Sequence, residues 1–132
     1  MLNRNVPRYT SYPTAPHFNA SVGPDVYESW LHALGGDASL SLYLHVPFCA
    51  QLCLHCGCNT KVTLRRPPIE AYAGRLIGEI GLLAREIGRR RVSHLHWGGG
   101  TPSILGPQGL ARIHATPAEA FDLDRVREHA IV

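Results

Sequence analysis

The chain has 132 residues, 45% of them hydrophobic, and a net charge of +3 with histidines neutral. That length fits one domain with a modest core, and that apolar fraction argues against general disorder. The charge excess is too small to call for nucleic acid, no apolar run approaches the ~20 residues of a membrane span, and the polar, proline-rich start MLNRNVPRYTSYPT is no secretory signal, so a cytoplasmic protein is expected.

Residues 1–20 read as a loop punctuated by Pro7, Pro13 and Pro16. Residues 25–34 read as a short helix, with Tyr27, Trp30, Leu31 and Leu34 on one face, Pro24 at its start and Gly35-Gly36 at its end. Residues 39–46 alternate as a strand: Leu40, Leu42, Leu44 and Val46 face one way, Ser41, Tyr43 and His45 the other. Residues 68–88 give the longest helix, led in by Pro67-Pro68 and closed by Gly88. Its Gly74, Gly78 and Gly81 lower helix propensity, and some of them are expected where the helix sits close to a sheet. The run Arg89-Arg90-Arg91 is expected to be a solvated turn. Residues 91–97 form a second strand, followed by Gly98-Gly99-Gly100-Thr101-Pro102. Residues 107–114 look helical, with Pro117 expected to end or interrupt that helix, and residues 127–132 open a third strand.

Strands alternating with helices define an α/β fold with a parallel sheet and crossover helices. In such sheets ligands sit at the carboxyl ends of the strands. The loop Cys49–Cys58 follows the first strand and the glycine loop follows the second, so both are expected on one rim as one site.

All four cysteines fall in that first loop, with Cys49, Cys53 and Cys56 spaced C-x3-C-x2-C and Cys58 two residues on. In a reducing compartment clustered thiols more often bind metal than pair as disulfides. Soft thiolates suit zinc or iron–sulfur clusters. Three cysteines in a short loop can ligate three irons of a [4Fe–4S] cube and leave the fourth open. Zinc, with His45 or His55 as a further ligand, and purely structural thiols are the alternatives. Gly98–Gly100 lets backbone groups approach a ligand closely. No G-K-[ST] follows, so this is not a phosphate loop.

These motifs resemble the radical S-adenosylmethionine (SAM) enzymes, and among them the oxygen-independent coproporphyrinogen III oxidase family (also called coproporphyrinogen III dehydrogenases). The matching stretches are PRYTSYPTA at 7–15, LSLYLHVPFC at 40–49, the step Cys56-Gly57-Cys58 and HLHWGGGTPS at 94–103. The heme-chaperone group resembles the chain over LYLHVPFC and GGGTP. It normally lacks RYTSYPT and usually has Phe where Cys58 stands.

The resemblance implies a (β/α) radical-SAM barrel, of which about three parallel strands are present. It implies that Cys49, Cys53 and Cys56 ligate a [4Fe–4S] cluster whose open iron takes the methionine end of SAM. Tyr43, Gly99, Gly100 and Thr101 match positions that contact SAM, and so does His55, where an aromatic residue is usual. Cys58 matches an extra cysteine near the cluster and is the catalytic candidate. The implied reaction oxidatively decarboxylates two propionates of coproporphyrinogen III to vinyls through a 5′-deoxyadenosyl radical, giving protoporphyrinogen IX in anaerobic heme biosynthesis. Other implied partners are an electron donor and an electron acceptor, with a monomer expected at full length.

Residues 1–38 are expected to form an extension over the active site, in which Arg8 is a candidate to pair with a substrate carboxylate, the alternative being an exposed arginine, and residues 39–132 an incomplete barrel. Val132 stands where the family places a ligand-contacting Glu, and a complete barrel needs ~200 residues or more. The expectation is therefore a truncated fragment, ending in its third strand, that by itself binds a cluster poorly and turns over little. The alternatives to the oxidase are a heme-binding relative and an inactive fragment.

Overall fold

A computed structural model describes residues 17–54 and 56–132. The expectations placed on residues 1–16 and on His55 lie outside the described residues.

Helix α1 (Pro24–His32) is followed by strand β1 (Leu40–Val46). Two short strands, β2 (Phe48–Cys49) and β3 (Lys61–Val62), flank the cysteine loop, and helix α2 (Arg66–Ile87) then leads to β4 (Val92–Gly99). A 3-10 turn at Pro102–Leu105 runs into α3 (Gly106–Ala120), and β5 (Glu128–Ile131) closes the order. The main sheet has strand order β1-β4-β5, with both neighbouring pairs parallel. This is the α/β arrangement that the strand–helix alternation predicts.

The alternation in β1 is carried through to packing: Leu44 and Val46 are buried while Ser41 and Tyr43 are exposed. Leu95 and Trp97 extend that apolar face across β4, and α2 covers it with Ile69, Ala73, Leu76 and Ile80. Ile113 of α3 and the adjoining Leu105 and Phe121 complete the core. Each fully buried side chain of this size is worth roughly 1.5–3 kcal/mol, so the helix–sheet layer holds the fold. The other face of the sheet carries the polar row Ser41, Tyr43, His45, His94, His96 and Glu128, aligned by the parallel register.

The structure corrects three expectations. Gly74, Gly78 and Gly81 do not approach the sheet: a Cβ at Gly74 or Gly78 would meet nothing within 4 Å, and at Gly81 only an Arg85 guanidinium nitrogen at 3.9 Å. On a 3.6-residue helix these positions lie opposite the buried row Ile69, Ala73, Leu76 and Ile80. Pro117 does not end its helix, which runs to Ala120. It is buried on the same face as Ile113 four residues earlier, and the core contact offsets the one backbone bond its ring removes. The arginine run is only in part a solvated turn: Arg89 and Arg91 are exposed, but the run is tied to its neighbours by hydrogen bonds. Arg89 donates to the Glu119 carbonyl at 3.0 Å, while Arg90 donates to the carbonyls of Ile87, Leu34 and Gly35. These bonds tie the ends of α1, α2 and α3 together. Helix α1 buries none of its residues; Tyr27 and Trp30 are 50% and 55% exposed.

Gly88 ends α2 at φ 67°, a left-handed conformation that favours glycine. Among the described residues no helix is long and apolar enough to cross a membrane.

Candidate metal and cofactor site

Val46 is fully buried, so the chain leaving β1 is fixed and delivers Pro47, Phe48 and Cys49 to the carboxyl end of the sheet. The return of the loop is fixed too. Lys61 N–H donates to the Pro47 carbonyl at 2.7 Å and Thr63 N–H to the Cys49 carbonyl at 3.0 Å, the small parallel ladder of β2 with β3. The cysteine loop is therefore a closed loop clamped at its base.

Two backbone bonds join the glycine loop to it. Gly100 N–H donates to the Val46 carbonyl at 2.8 Å and Thr101 N–H to the Phe48 carbonyl at 2.7 Å. The Thr101 hydroxyl lies 3.5 Å from the Cys49 sulfur. The two loops expected on one rim are in direct contact there.

Close packing at this junction favours glycine, most strictly at Gly100, where the neighbour is backbone. A Cβ at Gly100 would overlap the Phe48 carbonyl oxygen, one at Gly98 would lie 2.7 Å from the Tyr43 hydroxyl, and one at Gly99 would lie 2.6 Å from the His45 ring. Gly99 also has φ 103°, where side chains are strained. The expected contact residues Tyr43, Gly99, Gly100 and Thr101 thus stand together at the carboxyl ends of β1 and β4.

His45 links the parts. Its Nε2 lies 3.2 Å from the Asn59 carbonyl at the far end of the cysteine loop, and its ring covers Gly99. Its own carbonyl accepts the Tyr72 hydroxyl at 2.7 Å. Burial, and secondarily the charge of Glu79, raises the Tyr72 pKa and keeps that hydroxyl a donor. Tyr72 in turn meets Phe48 edge-on, at 5.5 Å between ring centroids. Asn59, Thr60 and Tyr72 were not legible as site residues in the sequence. Only Tyr72 had a signal, an aromatic on the apolar face of a helix, and that reads as core.

All four cysteines are free thiols; Cys49 is buried, and Cys53, Cys56 and Cys58 are exposed. Cys56 N–H donates to the Cys53 carbonyl at 3.1 Å, which turns the loop between these two. The Cys56 thiol is lowered from its ordinary pKa, first by the Cys58 backbone N–H and then by the Thr60 hydroxyl 3.8 Å away. The thiolate is the form that binds metal. Free soft donors on one loop suit a thiolate-bound metal or cluster by their chemistry; no three of the cysteine sulfurs lie within 4.8 Å of one another, and Gly98–Gly100 are packed closely by Tyr43, His45 and Phe48. Cys58 shows no catalytic partner among the described residues beyond its contact to Cys56.

A parallel α/β layer with these two loops on its carboxyl rim matches the N-terminal part of the radical SAM fold. The structure is similar to the solved coproporphyrinogen III oxidase of Escherichia coli, a radical SAM enzyme, at TM-score 0.82 and 39% identity, over 93% of this chain and 28% of that one. The sequence is 50% identical over 117 residues to the oxygen-independent coproporphyrinogen III oxidase of Bradyrhizobium diazoefficiens, covering 88% of this chain and 26% of that protein. It is 41% identical over 132 residues to the enzyme of the same name from Paracoccus denitrificans, covering 99% of this chain and 29% of that protein. No family model matches the chain. The chain is similar to the oxygen-independent coproporphyrinogen III oxidases, and it spans 24–29% of the length of the curated relatives it matches.

Proposed function

We propose that this chain forms the cluster- and SAM-binding part of an enzyme that oxidatively decarboxylates two propionates of coproporphyrinogen III, giving protoporphyrinogen IX. One observation supports this reading above the others: the cysteine and glycine loops meet at the Cys49–Thr101 contact, so a metal centre and its ligand cradle share one rim.

In this reading Cys49, Cys53 and Cys56 hold a [4Fe–4S] cluster. Tyr43, His55, Gly99, Gly100 and Thr101 line the place of SAM. When bound, the cluster and SAM supply the one-electron chemistry that generates a carbon radical able to take a propionate hydrogen. The protein's own part is placement. In this reading Gly98–Gly100 present backbone rather than side chains to the ligand, beside the Tyr43 ring that packs against Gly98. His45 and Tyr72 keep the cysteine loop seated on the strand end. Cys58 is the catalytic candidate, two residues beyond the third cluster ligand. Residues 1–38 are assigned as an extension and residues 39–132 as the first part of the barrel. The reading also assigns a cytoplasmic location, a monomeric whole protein, and an external electron donor and acceptor.

A graft tests the substrate. Residues 17–132 are placed in the Bradyrhizobium relative in exchange for its matching segment. The chimera is expected to release carbon dioxide from coproporphyrinogen III anaerobically, and Cys53→Ser to abolish this. A chimera that cleaves SAM but leaves coproporphyrinogen III unchanged would overturn the substrate assignment.

A further inference from the structure

At the opposite end of the sheet from the cysteine rim, Ser39, Arg91, Ser93, His94, Arg125 and Arg127 line a cavity of about 340 Å³. These residues come from the starts of all three main strands: Ser39 just before β1, Arg91 just before β4, and Arg125 and Arg127 just before β5. Their backbone is held by the ladder ends. Leu40 N–H donates to the Arg91 carbonyl and Arg127 N–H to the Ser93 carbonyl, both at 2.8 Å. Ser93 donates its hydroxyl to the Leu40 carbonyl at 3.0 Å, and its oxygen lies 2.9 Å from His94 Nδ1, which fixes that ring at the wall.

Charge makes this cavity unlike the others. Among the described residues, the ion pairs are His32 with Glu86, Arg66 with Glu70, and His96 with Glu128. None involves Arg91, Arg125 or Arg127. In the preceding loop the Asp122 carboxylate accepts the Asp124 N–H at 3.0 Å, and no ion pair joins Asp122 or Asp124 to these arginines. Arg89 and Arg90 a few residues away do spend their guanidiniums on carbonyls. Three like charges around one cavity repel, and an oxyanion relieves that repulsion while meeting the planar donor fork of arginine. The cavity lies near the lower end of the ~300–1,000 Å³ range of small-molecule sites, larger than a lone phosphate needs.

We infer that Arg91, Arg125 and Arg127 form a binding pocket for a small polyanion bearing two or three phosphate or carboxylate groups, at the amino-terminal end of the parallel strands. The pocket is separate from the cysteine rim and does not depend on the reaction proposed there.

Calorimetric titration tests it with two probes, pyrophosphate and tricarballylate, at constant ionic strength. Saturable one-to-one binding of either supports the pocket; the tighter probe tells phosphate from carboxylate chemistry. Arg91→Gln and Arg127→Gln should each weaken that binding by about tenfold or more, as for loss of a charge-assisted pair. Arg125→Gln, in the loop ahead of β5, gives the same readout without touching a strand, and Arg85→Gln, on an exposed helix face, should bind as wild type. Absence of saturable binding by both probes would overturn the inference. So would binding that survives Arg125→Gln and a folded Arg127→Gln unchanged.

Discussion

The Thr101 hydroxyl lies 3.5 Å from the Cys49 thiol across 52 residues of sequence. The backbone supports the same junction, since Thr101 N–H donates to the Phe48 carbonyl at 2.7 Å. The cysteine loop and the glycine loop are therefore one structural unit. A change in either is felt in the other, and the glycines are where this can be read most directly.

Gly100→Ala should be destabilising, because its Cβ would overlap the Phe48 carbonyl and backbone cannot swing away as a side chain can. Overpacking of this kind costs about 1–3 kcal/mol. Gly78→Ala should do the reverse. Its Cβ would point into open space on a helix, and the gain is up to ~1 kcal/mol. Urea midpoints of the two variants measure both. A stabilising Gly100→Ala would mean that the two loops do not meet as described.

Arg90 carries three carbonyl contacts at once, to Ile87, Leu34 and Gly35. Its replacement by Ala should cost about 1.5–3 kcal/mol, the range for hydrogen bonds to charged groups. Arg89→Ala removes a single exposed bond to the Glu119 carbonyl and should cost less. Thermal unfolding of both variants compares them directly. Equal, negligible losses would return the arginine run to a solvated turn.

His129 gives the fold an acid sensitivity. Its Nε2 accepts the Trp97 indole N–H at 3.1 Å, and its ring stacks on His114 with centroids 5.2 Å apart. Burial, followed by the nearby His114 and His96, lowers its pKa below the usual imidazole value. The unfolded chain titrates near ~6.5 and so binds more protons than the folded chain just below that pH. The stabilising contribution is thus fully present above ~6.5 and is lost as pH falls through the lowered folded value. The urea midpoint should drop more steeply on acidification in wild type than in His129→Gln. Parallel pH profiles would show that His129 does not set this sensitivity.

Much of this was legible in the chain. The period-two pattern of residues 40–46 fixes which face of β1 is buried, and the positions of Cys49 and Gly98 at the carboxyl ends of strands place both loops on one rim, although β4 runs on through Gly99. What escaped was the part set by tertiary contact. Helical glycines look the same in sequence whether they face a sheet or water, and only the position of the buried row Ile69, Ala73, Leu76 and Ile80 decides. Pro117 reads as a helix breaker because local propensity is silent about its buried face. Arg90 reads as solvated because its acceptors are backbone carbonyls, which have no sequence signature. The links from His45 to Asn59 and from Tyr72 to His45 are likewise contacts between elements, with no periodicity to reveal them.

The most direct measurement is the iron and acid-labile sulfide bound after anaerobic reconstitution, compared across Cys49→Ser, Cys53→Ser, Cys56→Ser and Cys58→Ser. Wild type and Cys58→Ser should hold iron and sulfide in equal amounts, below one cluster per chain as expected of a partial barrel, with an electron paramagnetic resonance spectrum in the reduced state that changes when SAM is added. Each of the other three variants should lose the cluster. Zinc without iron or sulfide in the wild-type protein, or a cluster that survives replacement of Cys49, Cys53 or Cys56, would contradict a three-cysteine cluster with an open iron.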